Sequence, residues 1–147
     1  MSLVISLIPY GHISYAIPSL LGNLQKSELW TKGRANVDDI VKFVITGQMQ
    51  LWVAFDKDTN IIHGYYITEV KQYPQQKMLV VQYCAGDTGI LNQTLLESTN
   101  LINKFALDND CAGIEVFGRP GWMPHARKHG YTTQTVVYEK YFDEVKS

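Results

Sequence analysis

The sequence predicts an α/β fold of the α+β type, in which helices flank a mixed and mostly antiparallel central sheet. Apolar, β-branched segments alternate with segments whose apolar residues recur at helical spacing. Two strand-like segments lie on either side of a short turn-rich spacer, as in an antiparallel hairpin. Two later ones are separated by a helix, as a parallel βαβ crossover requires. The predicted order is β-α-α-β-β-β-α-β-α-β, in one domain over residues 1–147.

The first third of the chain predicts one strand and two helices. Residues 3–10 are apolar and β-branched and end at Pro9 and Gly11, which predicts a strand. Residues 13–25 fit a helix in which Pro18 lies near the start or bends the axis. A clearer helix follows Asn36, a good N-cap residue, because an apolar stripe within 37–45 precedes Gly47.

The middle of the chain predicts an antiparallel meander. Strands at about 50–55 and 61–70 flank the spacer "DKDTN", whose residues favour a turn. A further strand, "MLVVQYC" at 78–84, follows Pro74 and a short polar segment.

The last third predicts a parallel unit and a closing strand. The stretch "AGDTG" at 85–89 ends the preceding strand, and an amphipathic helix begins near Ile90. The strand "AGIEVFG" at 112–118 is reached through that helix. A short helix at 121–129 has Pro124 in its first turn and Gly130 as its C-cap, and "TTQTVVYEKYF" at 132–142 is the final strand.

Composition limits the classes of function. The formal net charge of −1 offers no basic field for nucleic acid, which is therefore not an expected partner. The opening segment has neither a cationic leader nor a long apolar run, so we expect a cytoplasmic protein with no membrane partner. Cys84 and Cys111 lie in structured segments and are expected to be reduced and buried. The aromatic content of 12% suits an interface as well as a core, which leaves a homo-oligomer open.

Four stretches follow one another in a characteristic order: the strand and turn "MLVVQYCAGDTG", an amphipathic helix, the strand "GIEVFG", and a short helix ending in "ARKHGY". In this order, over essentially the whole chain, the sequence resembles the GCN5-related N-acetyltransferase (GNAT) family. The resemblance implies transfer of an acetyl group from the cosubstrate acetyl-CoA to a primary amine of a small molecule or a protein, without a metal. The turn "GRPGW" adds a looser resemblance to acetyltransferase-like proteins of tailed bacteriophages, which would place the protein in the cytoplasm of a bacterial host.

The resemblance also implies a cofactor site between two strands. Family members bind acetyl-CoA where two parallel strands, here 78–84 and 113–118, splay apart, and they hold its pyrophosphate on loop amides after the first strand. The physics is general, because N–H groups at a helix N-terminus meet an anion with the positive end of the helix dipole. Arg119 follows the second strand and is expected to pair with a phosphate or a carboxylate. The expected cofactor-binding residues are Tyr83, Ala85, Gly86, Thr88, Gly89, Ile90 and Arg119.

The loop departs from the family pattern, which is Gln or Arg, two residues, Gly, one residue, then Gly or Ala. With Gly89 at the first glycine, Leu91 occupies the small position and the leading Gln or Arg is lost; a pattern that starts at Gln82 loses both glycines. Asp87 also adds a negative charge where phosphates would lie. The alternative is a plain connection, in which the glycines turn the chain and Asp87 or Thr88 caps the helix.

The catalytic groups form a separate prediction. A base must take the proton of an attacking ammonium, and Glu69 or Glu115 on the central strands can do so through a water molecule. Many family members carry a tyrosine four residues before the helix-terminal glycine, but Ala126 stands there. The candidate acids for the leaving thiolate are therefore Tyr83, His125, His129 and Tyr138. The expected function is therefore direct N-acetyl transfer. The residues Leu91 and Ala126 favour the alternative, a non-catalytic acetyltransferase-like module for binding or assembly.

Overall fold

The computed structural model describes residues 2–118 and 123–142, apart from the side chains of residues 92 and 95–97. Its elements follow in chain order: β1 (Leu3–Leu7), α1 (Ile13–Trp30), α2 (Val37–Ile45), β2 (Gln50–Asp56), β3 (Ile62–Gln72), β4 (Lys77–Gly86), α3 (Ile90–Asp108), β5 (Gly113–Val116) and α4 (Met123–Lys128). A 3-10 turn at Tyr10–His12 precedes α1, so the first strand is shorter than predicted. Cys84 and Cys111 are both buried, as expected, and neither forms a disulfide.

The five strands form one sheet in the order β1-β2-β3-β4-β5. Neighbours among the first four strands are antiparallel, whereas β4 and β5 are parallel and are connected through α3. The predicted hairpin, the parallel crossover and the mixed sheet flanked by helices are confirmed. The sheet is therefore antiparallel except at the pair on which the candidate site depends.

Helices cover both faces of the sheet. α1 and α2 pack on one face, where Leu20, Leu24, Ile40 and Val44 join Leu51 and Tyr65 in a buried cluster. α3 packs on the other face, where Ile90, Ile102 and Ala106 meet Trp52, Tyr66 and Leu79. Because successive strand residues point to opposite faces, each central strand contributes to both cores.

The two N-terminal helices begin and end for local reasons. α2 starts in a capping box, in which the Asp39 N–H donates to Asn36 Oδ1 at 2.8 Å and the Asn36 N–H donates to Asp39 Oδ2 at 3.1 Å. α1 contains Pro18 yet continues to Trp30, beyond the predicted end at residue 25. Its buried face, which includes Leu24 and Ser27, continues for that length and compensates for the hydrogen bond that proline removes.

The predicted final strand is wrong for the residues that the structure describes. Residues 131–142 carry no strand assignment, and Val137, Tyr138 and Phe142 are exposed there by 69%, 92% and 93%. The short helix predicted at 121–129 is observed over Met123–Lys128, while Arg119 and residues 120–122 lie outside the described residues.

Candidate functional site

The parallel pair β4–β5 opens into a fork. Pairing runs from Met78 opposite Gly113 to Val81 opposite Val116, and the last backbone contact is from the Phe117 N–H to the Val81 carbonyl at 3.5 Å. β5 stops there, whereas β4 continues to Gly86. The two strands are parallel and adjacent, as predicted, and they part beside Tyr83 and one residue beyond Glu115.

A β-bulge at Gln82 bends β4 at the fork. Ile67 of β3 lies opposite Tyr83, but the next residue, Thr68, lies opposite Val81, so Gln82 is the extra residue. A bulge leaves the inserted residue without a ladder partner and increases the local bend of the strand. The bulge therefore accounts for the divergence of β4 from β5.

The loop that follows β4 offers free backbone donors. Gly89 is the N-cap of α3 with φ at 79°, a left-handed conformation that glycine adopts without strain. The N–H of Asp87 donates to the His63 carbonyl at 2.8 Å, and the N–H of Ile90 donates to the Asp87 carbonyl at 3.0 Å. Among the described residues, the N–H groups of Thr88, Gly89 and Leu91 have no acceptor. Three donors at a helix N-terminus can therefore bind an anion.

The Asp87 carboxylate is turned away from these donors. Its Oδ2 lies 2.9 Å from His63 Nδ1, and its Oδ1 accepts from Asn23 Nδ2 at 3.4 Å. α3 has no side-chain cap, so the alternative in which Asp87 or Thr88 caps the helix is wrong. Lys26, also on α1, donates from Nζ to the Gly86 carbonyl at 3.0 Å and brings an exposed cation to the loop.

An apolar cavity of about 80 Å³ connects the loop with the fork on the α3 side of the sheet. Leu91 lines it at the loop, Val81 and Val116 line it at the fork, and Ala126 and His129 of the α4 region cover it. Leu91 is half-buried and packs against the α3-side core. Its side chain therefore points inward, and its N–H remains available.

Polar groups collect on the opposite face of the sheet, beside the fork. Glu69 of β3 and Glu115 of β5 both lie directly opposite Val80 of β4, so their side chains point to the same face of the sheet. Their strands are two strand spacings apart, which separates the two residues by about 10 Å. Tyr83 is half-buried on the same face, against the core of α1 and α2. Burial first, and then the carboxylates of Glu69 and Asp39, raise the pKa of Tyr83.

Amides and a phenol surround the two glutamates. Gln48 Nε2 donates to Glu69 Oε2 at 3.3 Å, and Gln82 Nε2 donates to Glu69 Oε1 at 3.4 Å. A side-chain hydrogen bond between Tyr73 and Glu115, followed by burial and the negative charge of Glu115, raises the pKa of Tyr73. Among the described residues neither glutamate forms an ion pair, so both can accept from an ammonium.

The predicted site residues fall into three groups. Tyr83, Glu69 and Glu115 come together beside the fork, and Gly86, Thr88 and Gly89 form the loop. Ala85 and Ile90 have buried side chains, so only their backbones could meet a ligand. Sequence reasoning missed Asn23, Lys26, His63 and Gln48, because no pattern connects α1 or the β2 region with a loop that is far along the chain. Arg119 lies outside the described residues.

Residues 2–118 and 123–142 contain neither a metal-binding cluster nor a membrane-spanning helix. No group of three or more His, Cys, Asp or Glu side chains is arranged there to hold a metal ion. No helix in these ranges is long and apolar enough to cross a membrane.

Solved structures of acetyltransferases share this architecture. An aminoglycoside acetyltransferase from an uncultured soil metagenomic sample superposes with a TM-score of 0.70 at 11% identity, covering 97% of this chain and 100% of the other. Glucosamine-6-phosphate N-acetyltransferase from Arabidopsis thaliana gives a TM-score of 0.67 at 12% identity, with the same coverage. Ribosomal-protein-alanine N-acetyltransferase from Brucella melitensis gives 0.68 at 9%, also covering 97% and 100%.

These comparisons establish the fold. A GNAT family acetyltransferase from Staphylococcus aureus is also among the similar structures, at a TM-score of 0.62 and 15% identity. No protein-family model and no curated protein sequence matches the chain. At these identities the likeness is one of fold, and function must be argued from the site.

Proposed function

We propose that the protein transfers an acetyl group from acetyl-CoA directly to an amine. One observation carries the proposal: three free amides begin α3 directly after the strand that forks from β5, in a fold shared with N-acetyltransferases. The amides of Thr88, Gly89 and Leu91 would hold the pyrophosphate, with Lys26 nearby as the cation. The apolar cavity behind the fork would receive part of the pantetheine arm.

The fork would bring the donor and the acceptor together through the sheet. Acetyl-CoA enters from the α3 side, and the amine approaches from the side that carries Glu69 and Glu115. The free amine attacks the thioester carbonyl, a C–N bond forms, and the C–S bond breaks with release of the CoA thiolate. Glu69 or Glu115 accepts the proton of the ammonium, directly or through water, and Tyr83 donates a proton to the thiolate.

Tyr83 carries its proton at neutral pH, as this role requires. A phenol held in its protonated form by burial and by two neighbouring carboxylates remains a donor at neutral pH. The thiolate that leaves is a stronger base than a carboxylate and takes a proton readily. The similar structures are named for three substrates: an aminoglycoside, glucosamine 6-phosphate and a protein alanine. All three contain an amine, which supports an amine as the acceptor class.

The second candidate is a non-catalytic module that uses the same fold for binding or assembly, as the looser resemblance to phage proteins suggests. Its specific support is the small size of the cavity, about 80 Å³, with Leu91 and Ala126 in its wall. A chain that binds no CoA would retain the fold without the reaction.

Calorimetric titration with acetyl-CoA separates the two candidates. We expect saturable binding by the wild-type chain and at least tenfold weaker binding by Gly89→Val, about 1.4 kcal/mol, because valine resists a φ of 79° and so displaces the loop amides. Gly33→Val is the matched control, since Gly33 also has a positive φ, 85°, in the α1–α2 connection. An equal loss of acetyl-CoA affinity in Gly89→Val and Gly33→Val would contradict the proposal. So would the absence of binding by the wild type at millimolar acetyl-CoA.

A further inference from the structure

His63 occupies a β-bulge where β3 passes the end of β4. The pairing of β3 with β2 shifts between Ala54 and Phe55, which leaves His63 as the extra residue on β3. A bulge takes its residue out of the ladder and redirects it. The His63 carbonyl accepts from the Asp87 N–H at 2.8 Å, and its imidazole Nδ1 lies 2.9 Å from Asp87 Oδ2. His63 therefore holds the loop after β4 through both its backbone and its side chain.

Asn23 of α1 completes this arrangement, the Asp87 clamp, which consists of His63, Asn23 and Asp87. Asn23 is buried, and its Nδ2 lies 3.4 Å from the His63 carbonyl and 3.4 Å from Asp87 Oδ1. The N–H group and both carboxylate oxygens of Asp87 are thus directed toward β3 and α1. Because Asp87 directly precedes Thr88, the Asp87 clamp fixes the start of the loop that carries the free amides.

The imidazole of His63 can change its charge without breaking the Asp87 clamp. A carboxylate only accepts hydrogen bonds, so Nδ1 carries a hydrogen in the neutral ring and in the protonated ring alike. The second proton is taken up at Nε2, on the other side of the ring. Imidazole is the side chain that ordinarily changes its charge between pH 5 and 8. The hydrogen bond to Asp87 therefore persists over that range, while the net charge of the pair changes from −1 to 0.

The elements packed around His63 were compared for other charges. β2 contributes Ala54 and Phe55 and β4 contributes Gly86, none of which titrates. Lys26 of α1 donates from Nζ to the Gly86 carbonyl at 3.0 Å. Lysine is ordinarily cationic throughout the range in which imidazole titrates. The charge that varies with pH at this side of the loop is therefore that of His63.

We propose that His63 is a positioning residue for the phosphate-binding loop and that its protonation strengthens the binding of the CoA pyrophosphate. The inference rests on the proposed function, in which the amides of Thr88, Gly89 and Leu91 hold that pyrophosphate. The Asp87 clamp keeps the Asp87 carboxylate from turning onto these amides. When His63 is protonated, its charge offsets that of the carboxylate, so the pyrophosphate experiences less repulsion.

Protonation of His63 and binding of the anion favour each other. The affinity for the pyrophosphate is therefore highest where the imidazole is protonated, and it falls as the pH rises through the titration of the imidazole. The side chains of His63 and Asp87 are exposed by 20% and 55%, so solvent screens the interaction. A single screened charge corresponds to a change in affinity of about two- to fivefold.

Calorimetric titration with acetyl-dephospho-CoA between about pH 5 and 8 tests the effect of charge. This donor keeps the pyrophosphate but lacks the 3′-phosphate, whose second proton dissociates near pH 6. We expect the affinity of the wild type to fall about two- to fivefold as the pH rises. His63→Asn provides an uncharged amide in place of the Nδ1 donor, so it should bind as the wild type does at high pH and lose this dependence. The comparison of the two proteins also removes any contribution of His125 and His129, which line the apolar cavity.

His63→Ala tests positioning separately from charge. It releases the Asp87 carboxylate, so we expect weaker binding of acetyl-dephospho-CoA at every pH. Acetyl-pantetheine has no phosphate and should bind His63→Ala and wild type equally. Asp87→Asn in the His63→Ala background removes the competing charge and should restore the affinity for acetyl-dephospho-CoA. If His63→Ala fails to fold, the pH comparison with His63→Asn decides alone.

Two results would overturn this inference and leave the proposed function intact. One is a pH dependence that is the same in wild type and His63→Asn. The other is a His63→Ala protein that binds acetyl-dephospho-CoA as tightly as the wild type, or that weakens the binding of both donors equally. Absence of binding of acetyl-CoA and acetyl-dephospho-CoA by the wild type would overturn both, because His63 would then have no phosphate site to position.

Discussion

Asp87 shows how a charge that is unfavourable in the sequence becomes acceptable in the structure. A carboxylate beside a phosphate site costs affinity through repulsion. Here its two oxygens face His63 and Asn23, at 2.9 Å and 3.4 Å, on the side of the loop that leads to α1 and β3. Lys26 reaches the same loop through the Gly86 carbonyl. The local balance of charge is therefore set by residues of α1 and β3.

We predict that Lys26→Met weakens acetyl-CoA binding about two- to fivefold. Lys26 would pair with a phosphate at the protein surface, where such contacts contribute about 1 kcal/mol or less and are screened by salt. Calorimetry at low and high salt should show the difference shrinking as salt rises. Acetyl-pantetheine, which has no phosphate, should bind wild type and variant equally, and Lys104→Met on the distant part of α3 should behave as wild type. If Lys26→Met weakened the binding of acetyl-CoA and of acetyl-pantetheine equally, Lys26 would not contact a phosphate.

Tyr83 is the second residue whose properties depend on distant neighbours. Burial makes the largest contribution to its raised pKa, and Glu69 and Asp39 add to it because a negative charge disfavours tyrosinate. The protonated form, which donates, is therefore maintained to higher pH than for an exposed tyrosine.

We predict that Glu69→Gln lowers the pKa of Tyr83. Removal of the nearby negative charge favours tyrosinate. The spectrophotometric titration of Tyr83, identified as the difference between the protein and its Tyr83→Phe variant, should therefore move to lower pH. The alkaline limb of the pH profile for acetyl transfer should move in the same direction. Glu115→Gln is the matched control, because Glu115 is not among the groups that shift this pKa. A Tyr83 titration that is the same in wild type and Glu69→Gln would show that Glu69 does not act on the phenol.

At the scale of elements, local signals predicted most of the secondary structure. Asn36 is the N-cap of α2, as predicted, and α3 begins at Ile90, directly after its N-cap Gly89. The bulge at Gln82 was not predicted, since a strand sequence carries no mark of which residue will lack a partner on the neighbouring strand. Strand register depends on the packing of both faces.

We predict that Asn36→Ala destabilises the protein by about 1 kcal/mol. The substitution leaves the Asp39 N–H without its cap and weakens the helix that places Ile40 and Val44 in the core. Urea unfolding measures the change. Asn100→Ala, which replaces an exposed asparagine inside α3, serves as control and should not destabilise, because alanine has the higher helix propensity. An equally stable Asn36→Ala protein would mean that the box contributes nothing to the folded state.

For the whole molecule, the order of strands determines which surfaces meet at the fork. The parallel pair lies at one end of the sheet, so its fork has α3 on one side and the polar face with Tyr83 on the other. Among the described residues, the same placement leaves β5 as an edge strand. The proposed reaction site therefore lies at one end of the sheet.

Periodicity, capping residues and turn composition were enough to predict the class of fold, nine of the elements in order and the parallel pair, because these depend on interactions within a few residues. The partners of Asp87, the cation at the loop and the grouping of Glu69 with Tyr83 emerged only from the tertiary structure, since each joins residues from separate elements. The predicted final strand at 132–142 shows the same limit. Its composition predicts a strand, but a strand exists only where an edge is available to pair with it, and the packing of the whole chain decides where that edge lies.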